Sequence, residues 1–238
     1  MCYCSDACSQ TPDKSSTTFE EAPEIFRTRD KEVYFVQSLV HLIVFLLEIP
    51  ILFVKTFGEG PLALVRKVLL LSASYANIIA DNAMGKQLSA VTSAPTSWSW
   101  SYETKSDPIR ANVAYDLWLG ASPVGAPASR NSSYEIMVWL SRQGGIQPIG
   151  GPTASGIQLA GNTWTLWSGP NSNWQVLSFV SDTGDIPNFN ADFKEFFDYL
   201  VQNSGVSSQQ YVQAIQAGTE PFTGSANLVT HSYSVALN

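Results

Sequence analysis

Short stretches of alternating apolar and polar residues, separated by Gly, Pro, Asn and Ser, run from Ser74 to the carboxyl terminus. Successive side chains of a β-strand point to opposite faces, so a period of two predicts strands with one buried face. Many short strands separated by turn residues are typical of an antiparallel β-sandwich or barrel. The predicted strands are residues 96–102, 112–119, 134–142, 163–168, 174–181, 211–218 and 228–236.

One segment of this region has a helical period instead. Phe193, Phe196, Phe197 and Leu200 recur at positions i, i+3, i+4 and i+7, which places all four side chains on one face of an α-helix. The spacing therefore predicts a single amphipathic helix over residues 190–202, packed against the sheets.

The charge and aromatic content narrow the class of binding partner. The chain has seven tryptophans, 14 % charged residues and a formal net charge of −7. Nucleic-acid binding needs patches of Lys and Arg to neutralise phosphates, so this composition argues against it. A lightly charged, Trp-rich chain suits a neutral partner that stacks on aromatic faces, and sugars are the obvious class.

The composition changes sharply near residue 74. All seven tryptophans follow that point, whereas all three cysteines, Cys2, Cys4 and Cys8, precede it together with about half of the charged residues. One packed domain is not expected to divide its residues in this way. The chain is therefore predicted to consist of an extension, residues 1–73, and a β-domain, residues 74–238. The three cysteines suggest neither a disulfide framework nor a complete zinc site.

The extension shows no β alternation and no motif that indicates a catalytic site. Residues 1–32 are polar and are predicted to be disordered. Residues 39–54 are apolar but are interrupted by His41, Glu48 and Pro50, and they begin too late for a conventional signal peptide. They are consistent with a weak membrane anchor, a buried helix or a segment foreign to the natural protein. Residues 61–71 are predicted to form a short helix.

Two glutamates stand out within the β-domain. In residues 134–140, Glu135 shares one face with Met137 and Trp139, and the opposite face is suited to a sandwich core. Glu220 has the same parity as Val212, Ala214, Gln216 and Gly218, and Pro221 follows it directly. The alternatives are an edge-strand carboxylate facing water for Glu135 and a plain turn residue for Glu220. Two carboxyl groups on opposite sides of a groove are the smallest set of catalytic groups that most glycoside hydrolases use to cleave a glycosidic bond.

A third carboxylate lies in a similar pattern. Residues 112–119 place Asn112, Ala114, Asp116 and Trp118 on one face of a predicted strand. Asp116 is either part of the same site or a structural hydrogen-bond acceptor for a backbone N–H. Trp98, Trp100 and Trp118 each have two interpretations, a sugar platform or a core residue.

Several motifs occur in a fixed order and carry a family resemblance. They are Tyr-Asp-Leu at 115–117, Tyr-Glu-Ile-Met-Val-Trp-Leu at 134–140, Gln-Pro-Ile-Gly at 147–150 and Gly-Thr-Glu-Pro-Phe-Thr-Gly at 218–224. Together they closely resemble glycoside hydrolase family 12, the small β-jelly-roll endoglucanases. Ser-Gly-Pro-Asn at 168–171 and Ile-Gln-Ala-Gly at 215–218 are most similar to its fungal, xyloglucan-specific members.

The resemblance implies a retaining, cofactor-free and metal-free endo-β-1,4-glucanase, a secreted monomer that acts on xyloglucan. Glu135 matches the family's nucleophile, Glu220 its acid/base and Asp116 the acidic partner of the nucleophile. Retention requires the two catalytic carboxyl groups to lie roughly 5–5.5 Å apart. Met137, Trp139 and Trp118 are expected to bind sugar, and Gln147 and Pro148 lie in a loop that matches one bordering the family's cleft.

The chain departs from the family pattern before residue 74. An intact family domain begins with several further strands, a sugar-binding tryptophan, a secretory signal and a disulfide. The resemblance therefore predicts a jelly roll that lacks its first strands, with extracellular location expected from the family and residues 39–54 as a possible membrane anchor. A catalytically inactive, sugar-binding sandwich is the alternative function.

Overall fold

The computed structural model describes residues 26–27, 33–36, 54–56 and 75–238. Two β-sheets pack against each other, and one helix covers part of the core between them. The strands are β1 Phe26–Arg27, β2 Val33–Val36, β3 Val54–Thr56, β4 Ala76–Ala80, β5 Pro95–Lys105, β6 Arg110–Gly120, β7 Ser132–Gln143, β8 Gly151–Leu159, β9 Asn162–Asn171, β10 Trp174–Ser181, β11 Asn188–Asp192, β12 Tyr211–Thr219, β13 Pro221–Thr223 and β14 Ala226–Val235. The helix, α1, is Phe193–Asn203.

The larger sheet has the order β1-β2-β4-β12-β6-β7-β10-β9-β8, with β13 paired to β6. The smaller sheet has the order β11-β5-β14-β3. Most described neighbours are antiparallel, but β10 runs parallel to β7, and β3 runs parallel to β14. This arrangement confirms the predicted β-jelly-roll class with one amphipathic helix.

The main core lies between the sheets and α1. Trp98 and Trp100 of the smaller sheet are 1 % and 3 % exposed, and they pack in one cluster with Tyr115, Ile136 and other inward residues of the larger sheet. Both tryptophans are therefore core residues and not sugar platforms. Each large apolar side chain buried in this way stabilises the fold by roughly 1.5–3 kcal/mol.

The structure corrects several boundaries. Gly151–Leu159 and Ala76–Ala80 are strands that the sequence pattern did not predict, because exposed Gly, Pro and Thr residues or adjacent isoleucines obscure their alternation. Asn188–Asp192 pairs with β5, so α1 begins three residues later than predicted. A bulge between Val212 and Ala214 turns Val212 into the main core, whereas the sequence placed it on the face of Glu220.

The amino-terminal region also differs from expectation where the structure describes it. Phe26–Arg27, Val33–Val36 and Val54–Thr56 are strands, although the sequence predicted disorder or helix. Val33–Val36 pairs with β4, and Val54–Thr56 pairs with β14. Most of the apolar segment 39–54, the predicted helix 61–71 and the three cysteines lie outside the described residues. Within the described ones, no helix is long and apolar enough to cross a membrane.

The start of α1 supplies a stability prediction. Asp192 is the N-cap: its Oδ1 atom accepts hydrogen bonds from the backbone N–H of Lys194 at 2.9 Å and of buried Ala94 at 2.6 Å. We expect Asp192→Ala to lower the free energy of unfolding by about 1–2 kcal/mol, measured by urea denaturation. Asp198→Ala, which removes only the partly exposed ion pair with Lys194, should cost less than about 0.5 kcal/mol. Equal losses would contradict this role of Asp192.

Candidate active site

The face of the larger sheet that points away from the main core carries a second cluster of side chains. Its buried apolar members, with the partly buried rings packed against them, are Ala114, Met137, Trp139, Ile146, Val176, Val180, Trp167, Trp174 and Phe222. Tyr134, Ile136, Val138 and Leu140 of the same strand β7 lie in or against the main core. The predicted division of β7 into two faces is confirmed.

Glu135 lies near the start of β7, between β6 and β10, and is therefore not on an edge strand. Its side chain is half-buried, and its Oε2 atom accepts a hydrogen bond of 2.8 Å from the indole N–H of Trp174. Burial raises the pKa of Glu135 to about 7, the Trp174 hydrogen bond opposes this rise, and the negative charge of Glu220 adds to it. Glu135 is a carboxyl group that titrates near neutrality.

Glu220 follows β12 and is clamped by Asn112 of β6. The Asn112 side-chain amide donates to Oε2 of Glu220, and its Oδ1 atom accepts from the Glu220 backbone N–H at 2.9 Å. The backbone N–H of Asn112 also donates to the Glu220 carbonyl oxygen at 3.2 Å. Burial raises the pKa of Glu220, and the bond from Asn112 lowers it. These three contacts fix the glutamate, so it is not a plain turn residue.

Asp116 lies on β6, close enough to the two glutamates for their charges to act on it. It is 4 % exposed, and among the described residues its Oδ1 atom has no hydrogen-bond partner. Burial first, and then the charges of Glu220 and Glu135, raise the pKa of Asp116 well above its ordinary value. The structure thus brings all three predicted carboxyl groups together, and their mutual repulsion favours keeping a proton among them.

The other predicted site residues differ in how exposed they are to solvent. Met137 and Trp139 are 5 % and 2 % exposed and lie in the second cluster, on the same face as Glu135. The Trp139 indole N–H donates a hydrogen bond to the Met137 sulfur at 3.4 Å. Trp118 is buried on the same face, directly opposite Glu135 in the β6–β7 register. In the loop after β7, Gln147 is exposed and Pro148 is buried.

Four residues that contact the candidate site or its neighbours were not predicted from the sequence to be site residues. Asn112 has the same parity as Asp116, and that parity was the available signal. Gln216 accepts from the Trp118 indole at 3.0 Å and donates to Asn77 at 2.8 Å. The hydroxyl of Tyr75 donates to the Ala114 carbonyl oxygen at 3.0 Å. Burial first, and then the charges of Asp116 and Glu220, raise the pKa of this tyrosine. Trp174 gave no local signal, because its contact with Glu135 spans 39 residues.

The described residues contain no group of three or more His, Cys, Asp or Glu side chains arranged to hold a metal ion. What the site offers is carboxyl chemistry: two partly accessible glutamates with different hydrogen-bond partners, and beside them a buried aspartate whose pKa is raised by burial and by both glutamate charges. A jelly roll with paired carboxyl groups on its open face has the architecture and chemistry of a glycoside hydrolase.

Comparisons with known proteins support this class. A profile of Glycosyl hydrolase family 12 matches residues 72–238. Xyloglucan-specific endo-beta-1,4-glucanase A of Emericella nidulans is 46 % identical over 168 residues, 69 % of this chain and 66 % of that protein. The enzyme of the same name from Aspergillus aculeatus is 46 % identical over 154 residues, 63 % of this chain and 61 % of that protein.

A solved structure gives the same answer. Endoglucanase 3 of Trichoderma harzianum, described as family GH12, superimposes with a TM-score of 0.64 at 39 % identity, covering 70 % of this chain and 72 % of that one. The chain belongs to glycosyl hydrolase family 12. It spans 59–66 % of the length of the three curated relatives it matches first.

The raised pKa of Glu135 predicts a pH-dependent stability. Its folded pKa of about 7 lies above the ordinary value of 4.5, so between those pH values the native state binds more protons than the unfolded state. Stability is then lost as the pH rises through this window. The change that Glu135→Gln makes in the free energy of unfolding, relative to the wild type, should therefore depend on pH. We expect this change to be more stabilising at pH 7.5 than at pH 4 by on the order of 2 kcal/mol.

The measurement is urea denaturation of both proteins at the two pH values. Glu103→Gln, the same change at an exposed position of β5, is the control and should alter stability little at either pH. An effect of Glu135→Gln that is equal at pH 4 and pH 7.5 would contradict a desolvated carboxylate at this position.

Proposed function

We propose that this protein is a retaining endo-β-1,4-glucanase that cleaves the backbone of xyloglucan. The observation that carries the proposal is that Glu135 and Glu220 belong to one partly buried carboxyl cluster, each bound by a different donor. The substrate class comes from the relatives, whose names describe them as xyloglucan-specific endo-beta-1,4-glucanases. In this proposal, residues 74–238 are the hydrolase domain and residues 1–73 are an extension of it.

In the first step, a Glu135 carboxylate oxygen attacks the anomeric carbon while Glu220 donates its proton to the leaving glycosidic oxygen. The products are a covalent glycosyl–Glu135 ester and a shortened chain with a new hydroxyl group. In the second step, Glu220 removes a proton from a water molecule, whose oxygen attacks the same carbon and releases Glu135 as a carboxylate. Two inversions give net retention.

The neighbours of the two glutamates fit these roles. Asp116 keeps a proton beside Glu135, which lets Glu135 carry the negative charge that attack requires. Asn112 holds Glu220 in one orientation without preventing it from carrying a proton, since burial raises its pKa. Trp118, Met137 and Trp139 support the floor, and Gln147 and Pro148 border the cleft. A polysaccharide substrate is met outside the cell, so the proposal places the enzyme there. The proposal also takes the enzyme to be a monomer that uses no cofactor.

The test is hydrolysis by the full chain. We expect release of reducing ends from xyloglucan faster than from unbranched β-glucan, and loss of at least about a hundredfold in kcat for Glu135→Gln, which keeps size but removes the nucleophile. Glu103→Gln should retain activity. Binding of xyloglucan without turnover would instead support the catalytically inactive, sugar-binding sandwich.

The stereochemical outcome is a separate prediction. Proton NMR during early hydrolysis should show the β-anomer of the new reducing end before mutarotation, as a double displacement requires. Initial appearance of the α-anomer would indicate a single displacement and would remove Glu135 from the role of nucleophile.

A further inference from the structure

Trp174 contacts Glu135 from the neighbouring strand. It is the first residue of β10, whose parallel pairing with β7 puts Val176 opposite Glu135. With Val176 and Val180, it belongs to the side of β10 that faces the site. Its indole N–H lies 2.8 Å from Oε2 of Glu135, a good length for a hydrogen bond to a carboxylate.

The indole ring of Trp174 is itself held in place. Its centroid lies 5.4 Å from that of Trp118, with the rings at 73° in an edge-to-face contact. The Trp118 indole N–H is in turn bound to Gln216, and Gln216 is bound to Asn77. The donor is therefore oriented by a chain of contacts that crosses the sheet from β10 to β4.

The backbone next to Trp174 is anchored as well. The side-chain amide of Asn173 donates to the carbonyl oxygen of Ser132 at 3.0 Å, and Ser132 is the first residue of β7. The turn before β10 is thus attached to the strand that carries Glu135. Both the ring and the backbone of Trp174 are fixed relative to the carboxyl group.

We propose that Trp174 is a positioning residue for the nucleophile: its indole N–H binds one carboxylate oxygen of Glu135, leaves the other oxygen to attack, and stabilises the charged form. The proposal deepens the proposed function, because it assumes that Glu135 is the nucleophile. An N–H donor favours the ionised carboxylate over the neutral acid, and it counteracts the burial that favours the proton.

The bond has a defined consequence along the reaction. It is strongest when Glu135 carries a full charge, weakens when the ester forms, and is regained when water releases the carboxylate. Trp174 should therefore assist departure of Glu135 in the second step and keep the nucleophile ionised before the first. A residue that only stacked on sugar would change KM instead.

The test compares Trp174→Phe, which keeps an aromatic ring but removes the donor, with Trp167→Phe on β9, a partly buried ring of the same cluster. For Trp174→Phe we expect kcat on xyloglucan to fall by about tenfold with little change in KM. The acidic limb of the kcat/KM profile should move to higher pH by about one unit, because Glu135 loses a bond to its charged form. Trp167→Phe should leave that limb unmoved.

An unchanged acidic limb in Trp174→Phe, or a rise in KM alone, would overturn the proposal. A substrate-free measurement separates this result from the proposed function: carbon-13 NMR titration of the glutamate carboxyl groups, with the Glu135 signal assigned by its loss in Glu135→Gln. The Glu135 midpoint should rise in Trp174→Phe. If the wild-type protein cleaves no glucan, the proposed function fails, and the titration still decides whether Trp174 stabilises the Glu135 carboxylate.

A measurement on the wild-type chain covers the case in which Trp174→Phe does not fold. One indole N–H resonance in a nitrogen-15 correlation spectrum should follow the Glu135 titration and should stop titrating in Glu135→Gln. Absence of such a resonance among the seven tryptophans would overturn the proposal.

Discussion

Mutual repulsion among three partly dehydrated carboxyl groups is the constraint around which the open face of the larger sheet is built. Besides burial, the charges of Glu220 and Glu135 raise the pKa of Asp116, and the charge of Glu220 also raises the pKa of Glu135. Such a cluster is tolerated only because protons and hydrogen-bond donors offset the repulsion. Asn112 supplies the donor for Glu220, and Trp174 supplies it for Glu135. Asp116, whose Oδ1 atom has no partner among the described residues, is the member best suited to hold a proton.

The strict alternation along β6 and β7 is what makes this arrangement compatible with a stable fold. Tyr115 and Leu117 enter the main core while Asp116, between them, faces the site. On β7, Ile136 and Val138 enter the core while Glu135 and Met137 face the site. The residues that stabilise the sandwich and those that carry the chemistry thus occupy opposite faces of the same strands. A shift of one residue in register would exchange the two sets.

This alternation explains how much could be predicted from the sequence. The β class, the helix, the face of Glu135 and the grouping of Asp116 with Asn112 all follow from local periodicity. Val212 was assigned to the wrong face because a bulge, which no local pattern announced, changes the parity of β12. Trp174 was missed for a related reason: its role depends on a parallel pairing between strands that are distant in sequence. Periodicity gives the direction of a side chain but not the neighbour it meets.

The two glutamates are hydrogen-bonded to residues far from them in the sequence, so the site can form only late in folding. Glu135 meets its indole donor 39 residues away, and Glu220 meets Asn112 108 residues away. The β6–β7 hairpin by itself contains Asp116 and Glu135 but neither Glu220 nor Trp174. Long-range pairings of this kind form slowly, because the entropy of closing a long loop is lost before the contacts can stabilise the pairing. The carboxyl cluster is therefore completed only when the sheet closes around it, so partly folded chains expose the apolar face without the chemistry.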